Sequence, residues 1–533
     1  MTNRNRFAPI VALTDTDAYK LDHRRQYPEG TTKVLANYTN RGSRVEGIKG
    51  VVHFGLQAFL QSWVGEAWKP FFEADEDEVA ALYEEFTTSV LGPNEIGSDH
   101  IRALHKLGYL PLRFRAVPEG TVVPLRVPSF TVENTHPDFY WLTNYIETAM
   151  SAAVWHPSTT ATLAFRFRGL LNRWALKTTG TTDGVEWQGH DFSFRGMSGI
   201  EAAAASGAGH LLSFTGSDNL NVINFVNENY GGDNGLILGS VAATEHSVMC
   251  AGASDAPRDE NGVIDEISTY ERLLDLYPAG IVSVVSDTYD LWEVLTGVLP
   301  RVKDKILARD GKVVIRPDSG DPVDILTGAF SLDDSYLGNE FNNQEQYNLQ
   351  RKNFEHAHGE LDAAQKGVIE LLWDEFGGTV NEQGYKVLDA HIGAIYGDSI
   401  TYERAERIFQ RLESKGFASS NVVFGIGSYS YQYVTRDTFG SAVKATWVEI
   451  NGEGREIFKD PKTDNGTKKS ARGRVAVVDS PDGLILEDGL QGERLENTEA
   501  NHLVPIWQDG SFVKKQSYAD VRAMLSYQKP FDA

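Results

Sequence analysis

Val313–Pro322 reads VVIRPDSGDP. Val313, Val314 and Ile315 run straight into Arg316, and Asp318, Ser319 and Asp321 follow among Pro317, Gly320 and Pro322. An apolar, β-branched run closed by Pro and Gly predicts a strand of a covered sheet. Ligands of such sheets and barrels bind at the carboxyl ends of the strands. A guanidinium and a carboxylate two residues apart at that point suit a charged, hydroxylated ligand. The structural alternative is a capped turn with a surface ion pair.

Further tracts carry the same kind of chemistry. His190–Gly196 places Arg195 just ahead of Ser198 and Glu201, whose spacing predicts a capping box and a helix start. A cation beside free helix N–H groups suits an anion; pairing of Arg195 with Asp191 is the plainer alternative. Asp218 closes Thr215–Gly216–Ser217–Asp218, where an N-cap is the usual role. His246 follows Glu245, a neighbour able to orient an imidazole or raise its basicity, although most lone histidines are structural. Asp287, Asp398 and Arg436 complete the set with Arg316 and Asp318. Arginines hold phosphates bidentately, and aspartates take ribose hydroxyls or Mg²⁺. A phosphorylated, hydroxylated ligand follows. P-loop, Rossmann and H-E-x-x-H patterns are absent from the sequence.

These residues need elements to hold them. Ile281–Val285 leads to Asp287, Lys312–Ile315 to Arg316, Ile392–Tyr396 to Gly397–Asp398, and Val422–Phe424 to Gly427–Ser428. A charged helix after Ser399 runs to about Lys415. Strands alternating with helices predict parallel βαβ units, in a (β/α) barrel or a doubly wound sheet. In either case the polar turns share one face. Before residue 160, strands are expected at Thr32–Tyr38, Leu112–Ala116 and Thr121–Val123. Helices are expected from Pro137 to about Val154 and over Ala161–Lys177. Phe330–Lys366 is polar and reads as a surface insertion. The tail returns to strands at Trp447–Ile450, Val475–Val478 and Leu484–Leu486, with Lys462–Arg474 as a basic hairpin tip. The expected division is α/β: a sheet-rich α+β domain from 1–160 with 441–533, and a barrel-like catalytic domain over 161–440.

Bulk composition narrows the function. A chain of 533 residues suggests roughly two to four domains. Fifty Lys and Arg against 74 Asp and Glu leave a net charge of −24. Such a surface disfavours nucleic acid and anionic membranes, so an anion site must concentrate its arginines locally. Cys250 is the only cysteine, which excludes an intrachain disulfide and a Cys-based metal site and suits the cytoplasm. The N-terminal tract is not patterned as a signal peptide, and no membrane span is expected.

The tracts in order are Asp17–Lys20, Gln26–Pro28, Thr131–Thr135, Tyr140–Asn144, His190–Arg195, Glu245–Ser247, Val284–Asp287, Ile315–Asp321, Gly397–Asp398, Thr435–Asp437 and Phe458–Pro461. The series resembles the nicotinamide phosphoribosyltransferase family, a type II phosphoribosyltransferase group that includes the nicotinate enzymes. The likeness covers nearly the whole chain except about 326–366, an insertion relative to the vertebrate form. The resemblance implies transfer of 5-phosphoribosyl from 5-phosphoribosyl-1-pyrophosphate to nicotinamide, giving nicotinamide mononucleotide and pyrophosphate in NAD salvage. It implies an irregular (β/α) barrel beside a sheet-rich domain built from both chain ends. It also implies a homodimer with shared sites, Mg²⁺, and ATP as a coupling co-substrate through a phosphohistidine.

Residue by residue, Phe192 and a partner subunit's Tyr19 resemble the two rings that sandwich the pyridine. Asp218 matches the acid that accepts from the carboxamide NH₂. Arg316 lies where the family contacts base or pyrophosphate, and Arg195 and His246 match pyrophosphate positions. Asp318, Gly397 and Asp398 correspond to ribose contacts, and Arg436 with the Gly427–Ser428 turn to the 5′-phosphate site. The family has a glycine-rich run there, whereas this chain has Gly427–Ser428–Tyr429. Arg41, Lys444 and Lys459 resemble partner-subunit or ATP-side phosphate contacts. His246, Asp318 and Asp287 form the implied catalytic set. Mg²⁺ is expected on the diphosphate and Asp287, without a fixed protein cage. Nicotinate phosphoribosyltransferase is the nearest alternative, and Asp218 opposes it by like charge. A non-catalytic binding protein would have lost charged site residues that this chain keeps. A lyase or aldolase would need a Schiff-base lysine at a strand end, and none stands out.

Overall fold

Seven short segments between Gly189 and Ile426 pair in parallel. Their order across the sheet is Gly216–Ser217, Gly189–Asp191, Val422–Ile426, Ile392–Tyr396, Asp310–Arg316, Ala279–Val285 and Ala242–Ala243. Val282, Val284, Val313, Ile315, Ile392, Val422 and Phe424 are buried in one cluster with the surrounding helices. Helices between the strands supply the crossovers that parallel pairing requires. A parallel bridge from Gly216 to Gly239, three residues ahead of Ala242, joins the two edges of the sheet. That bridge decides for an irregular barrel over a doubly wound sheet.

The computed structural model describes residues 6–231, 237–258, 264–330, 343–397, 399–463, 469–491 and 501–529. The chain forms two compact units. One holds the barrel, Leu163–Asn221 with Leu236–Tyr433. The other holds Met1–Thr162, Val222–Gly235 and Val434–Phe531. Its main sheet is antiparallel, with Thr31–Asn40 between Ser441–Ile450 and Pro128–Asn134. Strand residues from near both chain ends are thus hydrogen-bonded neighbours. Tyr38 lies opposite Phe130 and stacks on it at 4.8 Å, an aromatic cross-strand pair that fixes register. No helix among the described residues is long and apolar enough to cross a membrane.

Several local expectations change. The helix expected from Pro137 opens as two short turns, Pro137–Phe139 and Leu142–Tyr145, and the rest of it joins the next expected helix in one 33-residue helix, Glu147–Thr179, with Pro157 inside it. Proline removes one helix hydrogen bond. Neighbouring side chains tie that turn down: Ser158 Oγ donates to Phe54 O, and Thr162 Oγ1 accepts from Val52 N. The Ser198–Glu201 capping box does not form. The helix starts at Ile200 behind Gly199, and Ser198 N donates instead to Gln432 Oε1 at 2.9 Å.

The polar insertion has its own small core. Tyr347 and Phe354, on the helix Gln344–His358, are buried with Phe330 and Leu361. Buried Lys415 reaches Glu370 at 2.5 Å, and Arg351 reaches the same carboxylate at 2.5 Å. Residues 331–342 lie outside the described residues. The basic tract Lys462–Arg474, described apart from 464–468, is more than a hairpin tip. Its Lys469, Ser470 and Ala471 line a cavity with Arg41, Arg126 and Lys444.

Candidate active site

Each parallel strand ends in residues that the sequence singled out. Asp191 ends one strand and Phe192 follows it; Asp218 follows Ser217, His246 lies just beyond Ala243, and Asp287 lies beyond Val285. Arg316 ends its strand, Gly397 follows Tyr396, and Gly427 follows Ile426. The pairings Ile426↔Asp191, Asp191↔Ser217 and Arg316↔Val285 bring these ends level. The result is a cavity of about 590 Å³ lined by Phe192, Arg195, Asp218, Arg316, Asp318, Gly397, Gly427 and Ser428, with Asp191, Phe194 and Asn219. That volume suits a small-molecule ligand.

Backbone economy shapes the walls. A side chain on Gly425 would meet the Phe192 ring at 2.5 Å, so the ring lies against bare backbone. A side chain on Gly397 would meet Asp318 Oδ1 at 2.8 Å. Ser428 departs from the glycine-rich pattern and is accommodated by Gly196, where any Cβ would fall 2.0 Å from Ser428 Oγ.

Arg316 and Arg195 put positive charge into the cavity. Burial lowers the pKa of the Arg316 guanidinium, and the Arg195 charge acts the same way, against Asp318, Asp218 and Asp287. Arg316 Nη2 donates to Thr244 O at 2.5 Å. Asp318 is organised by Asp287, whose Oδ2 accepts from the backbone N–H of Asp318 at 2.8 Å and of Ser319 at 2.7 Å. Ser319 Oγ donates to the same oxygen at 2.6 Å. His246 Nε2 stands 3.6 Å from Asp318 Oδ2, and its Nδ1 is 3.0 Å from Thr288 Oγ1.

Asp218 is not an N-cap. Its Oδ1 lies 2.9 Å from His190 Nε2 and accepts from Ser240 Oγ at 2.5 Å. Burial pushes its carboxyl up. Those hydrogen bonds, with the charges of His190 and Arg316, outweigh burial and hold it below the usual range. Asp218 is therefore ionised at neutral pH. Arg195 does not pair with Asp191. Asp191 Oδ1 accepts instead from Ser193 N at 2.9 Å and shapes the turn that carries Phe192.

The remaining residues fall elsewhere. Tyr19, Arg41, Arg436, Lys444 and Lys459 belong to the other unit. Burial lowers Lys444, partly offset by Glu147, and Arg41, Lys459 and Arg436 repel its charge. Arg41 and Lys444 line the basic cavity of about 200 Å³ described above. Tyr19 is 64% exposed. Asp398 lies outside the described residues. Sequence reasoning missed Asp191, Phe194 and Asn219 as wall residues, although Asp191 and Phe194 flank Phe192 in the same tract. Among the described residues, no cluster of three or more His, Cys, Asp or Glu could hold a metal alone.

Comparison with known proteins adds identity to geometry. A sequence model of the nicotinate phosphoribosyltransferase (NAPRTase) family matches residues 187–504. A model of the nicotinamide phosphoribosyltransferase N-terminal domain matches residues 11–113. The nicotinamide phosphoribosyltransferase of Acinetobacter baylyi is 48% identical, covering 97% of this chain and 98% of that one. That of Mycoplasma pneumoniae is 34% identical over 87% of this chain and 94% of its own. The crystal structure of human nicotinic acid phosphoribosyltransferase superposes with a TM-score of 0.53 at 17% identity, covering 96% of this chain and 93% of that one, a likeness of fold.

Proposed function

We propose, for a chain that belongs to the nicotinate phosphoribosyltransferase family and groups there with the nicotinamide phosphoribosyltransferases, that the strand-end cavity binds nicotinamide and 5-phosphoribosyl-1-pyrophosphate. The chain transfers the 5-phosphoribosyl group to nicotinamide, releasing pyrophosphate. The observation that carries the choice of base is Asp218, an ionised acceptor in the cavity wall that also holds Phe192. A carboxamide NH₂ donates to that oxygen, whereas a carboxylate meets like charge.

In this reading Phe192 takes one face of the pyridine, leaving its ring nitrogen free to attack C1 of the ribose. The new N–C1 bond forms as the C1–O bond to pyrophosphate breaks, and the leaving group keeps the electron pair. The ring nitrogen already has a lone pair, so no general base is required. Arg316 and Arg195 stabilise charge on the leaving diphosphate, and Asp318 faces the positive charge that develops at C1. Gly397 and Asp398 serve the ribose. Gly427, Ser428 and Arg436 serve the 5′-phosphate.

Mg²⁺ is part of the proposal, and Asp287 fits it. Asp287 Oδ1 is buried without a hydrogen-bond partner, while Oδ2 is fully engaged. The free oxygen would hold the ion or its water, and the ion would supply charge to the diphosphate. ATP coupling assigns His246 as phosphoryl acceptor: its ring is half-exposed and Thr288 orients Nδ1. A homodimer belongs to the same proposal, with the partner's Tyr19 as the second ring. Arg41, Lys444 and Lys459 would come from that second copy. Phe194, Leu220, Val248 and Tyr429, exposed apolar residues in segments following the strand ends, give such a copy something to cover. A cytoplasmic location is expected with it.

The test is direct. Purified protein with nicotinamide, 5-phosphoribosyl-1-pyrophosphate and Mg²⁺, with and without ATP, should yield nicotinamide mononucleotide by mass spectrometry. No product, or faster use of nicotinate, would overturn the reading.

A further inference from the structure

We infer that His190 is a positioning residue that sets the choice between a neutral and an anionic pyridine. The inference rests on the reading of Asp218 as the group that meets the carboxamide. His190 is 9% exposed and is not part of the cavity wall. It acts through two residues that are. Its Nε2 lies 2.9 Å from Asp218 Oδ1. An ionised carboxylate only accepts, so Nε2 carries the hydrogen and donates. Its ring packs on Phe192, with centroids 4.7 Å apart. One side chain thus braces both the hydrogen-bond acceptor and the stacking surface for the base.

The fold is built around this ring. His190 pairs with Gly216 across the two parallel strands, and a side chain on Gly216 would meet His190 Nδ1 at 2.7 Å. Glycine there lets the imidazole lie flat over the strand and reach Asp218. Ser240 Oγ donates to the same Oδ1. Both donors occupy Oδ1, so Oδ2 remains as the acceptor, with no hydrogen bond among the described residues. Losing the His190 donor frees the carboxylate to rotate, and a mobile acceptor discriminates less well between NH₂ and carboxylate oxygen.

His190→Phe keeps a ring against Phe192 and removes the donor. His190→Gln keeps a donor of similar reach and removes the ring. With His190→Phe, the nicotinamide KM should rise about tenfold, the loss expected of one charge-assisted hydrogen bond. The KM for 5-phosphoribosyl-1-pyrophosphate should stay unchanged. The nicotinamide-to-nicotinate ratio of kcat/KM should narrow by about the same factor. His190→Gln should keep most of the preference. Should His190→Phe not fold, His190→Leu carries the same test. An unchanged preference in the donor-less variant would overturn the inference, as would equal damage in His190→Gln. Asp218→Asn separates this from the underlying reading. If Asp218→Asn leaves the preference intact, Asp218 does not read the base. If Asp218→Asn alters it and His190→Phe does not, only the role of His190 fails.

Discussion

Asp218→Asn is the perturbation that asks most of the proposed site, because it changes charge while nearly keeping shape. Two unit charges about 4 Å apart interact by about 4 kcal/mol at an effective dielectric constant near 20. The Asp218 side chain is 45% exposed and Arg316 offsets part of its field, so about half that repulsion, ~2 kcal/mol, acts on a bound nicotinate. Removing it should speed nicotinate use roughly 30-fold in kcat/KM. Nicotinamide moves the other way. The donors from His190 and Ser240 hold the substituted amide with its oxygen toward them. Its NH₂ then takes the place of Oδ2 and opposes the carboxamide NH₂, donor against donor. Losing that charge-assisted hydrogen bond costs about 1.5 kcal/mol, roughly tenfold.

The preference for nicotinamide should therefore fall about 300-fold in total. Initial rates with each base, at saturating 5-phosphoribosyl-1-pyrophosphate and fixed pH, measure it. Circular dichroism confirms that the variant is folded. A folded variant whose preference stays within about threefold of the parent would refute both the electrostatic argument and the assignment of Asp218.

Three further outcomes follow from other parts of the molecule. Tyr19→Ala and Phe192→Ala, each inactive alone, should recover on the order of a quarter of parental activity when mixed and exchanged, since half the dimers then carry one intact shared site; no recovery in verified heterodimers would sink the shared site. Buried Glu119, which accepts from Gln57 N and Tyr230 OH, has its carboxyl pushed up to about 7 by burial. The folded state thus holds a proton that the unfolded state releases near pH 4.5, so stability should fall by about 3 kcal/mol as pH rises from there through 7. Glu119→Gln should flatten that slope in melting curves between pH 5 and 8, and an undiminished slope would refute the assignment. Lys415→Met leaves buried Glu370 with Arg351 and Tyr347 alone and should lower stability by about 3 kcal/mol in urea. The kinetic constants should not change, because this ion pair underlies the insertion rather than the cavity.

The strand ends were legible because their signal is local. Ile392–Tyr396 was bounded correctly, and Lys312–Ile315 sits inside the observed Asp310–Arg316. In both, β-branched residues stop at Gly or Pro, and the chemistry follows within two positions. What failed was decided at a distance. The Ser198–Glu201 spacing promises a capping box, but the Ser198 N–H is claimed by Gln432, 234 residues away. Pro157 reads as a break until Phe54 and Val52 hydrogen-bond to the same helix. Phe330, Tyr347, Phe354 and Leu361 are too scattered in a polar tract to announce a core, yet three-dimensional proximity makes one. Asp191 reads as an ion-pair partner, and its real role, holding the turn that carries Phe192, depends on backbone geometry that spacing does not encode.

The charge count explains why the proposed site needs a further cation. The chain carries −24, and within the cavity Arg316 lies among Asp318, Asp218 and Asp287 with Arg195 as the other guanidinium beside it. In the free protein those carboxylates offset the cost of burying Arg316. A sugar diphosphate brings several more negative charges, which two arginines crowded by three aspartates do not neutralise. In the proposed complex a divalent ion on the free oxygen of Asp287 would fill that deficit. Leaving out Mg²⁺ should therefore weaken 5-phosphoribosyl-1-pyrophosphate far more than nicotinamide, because Asp218 and Phe192 need no cation to hold a neutral base.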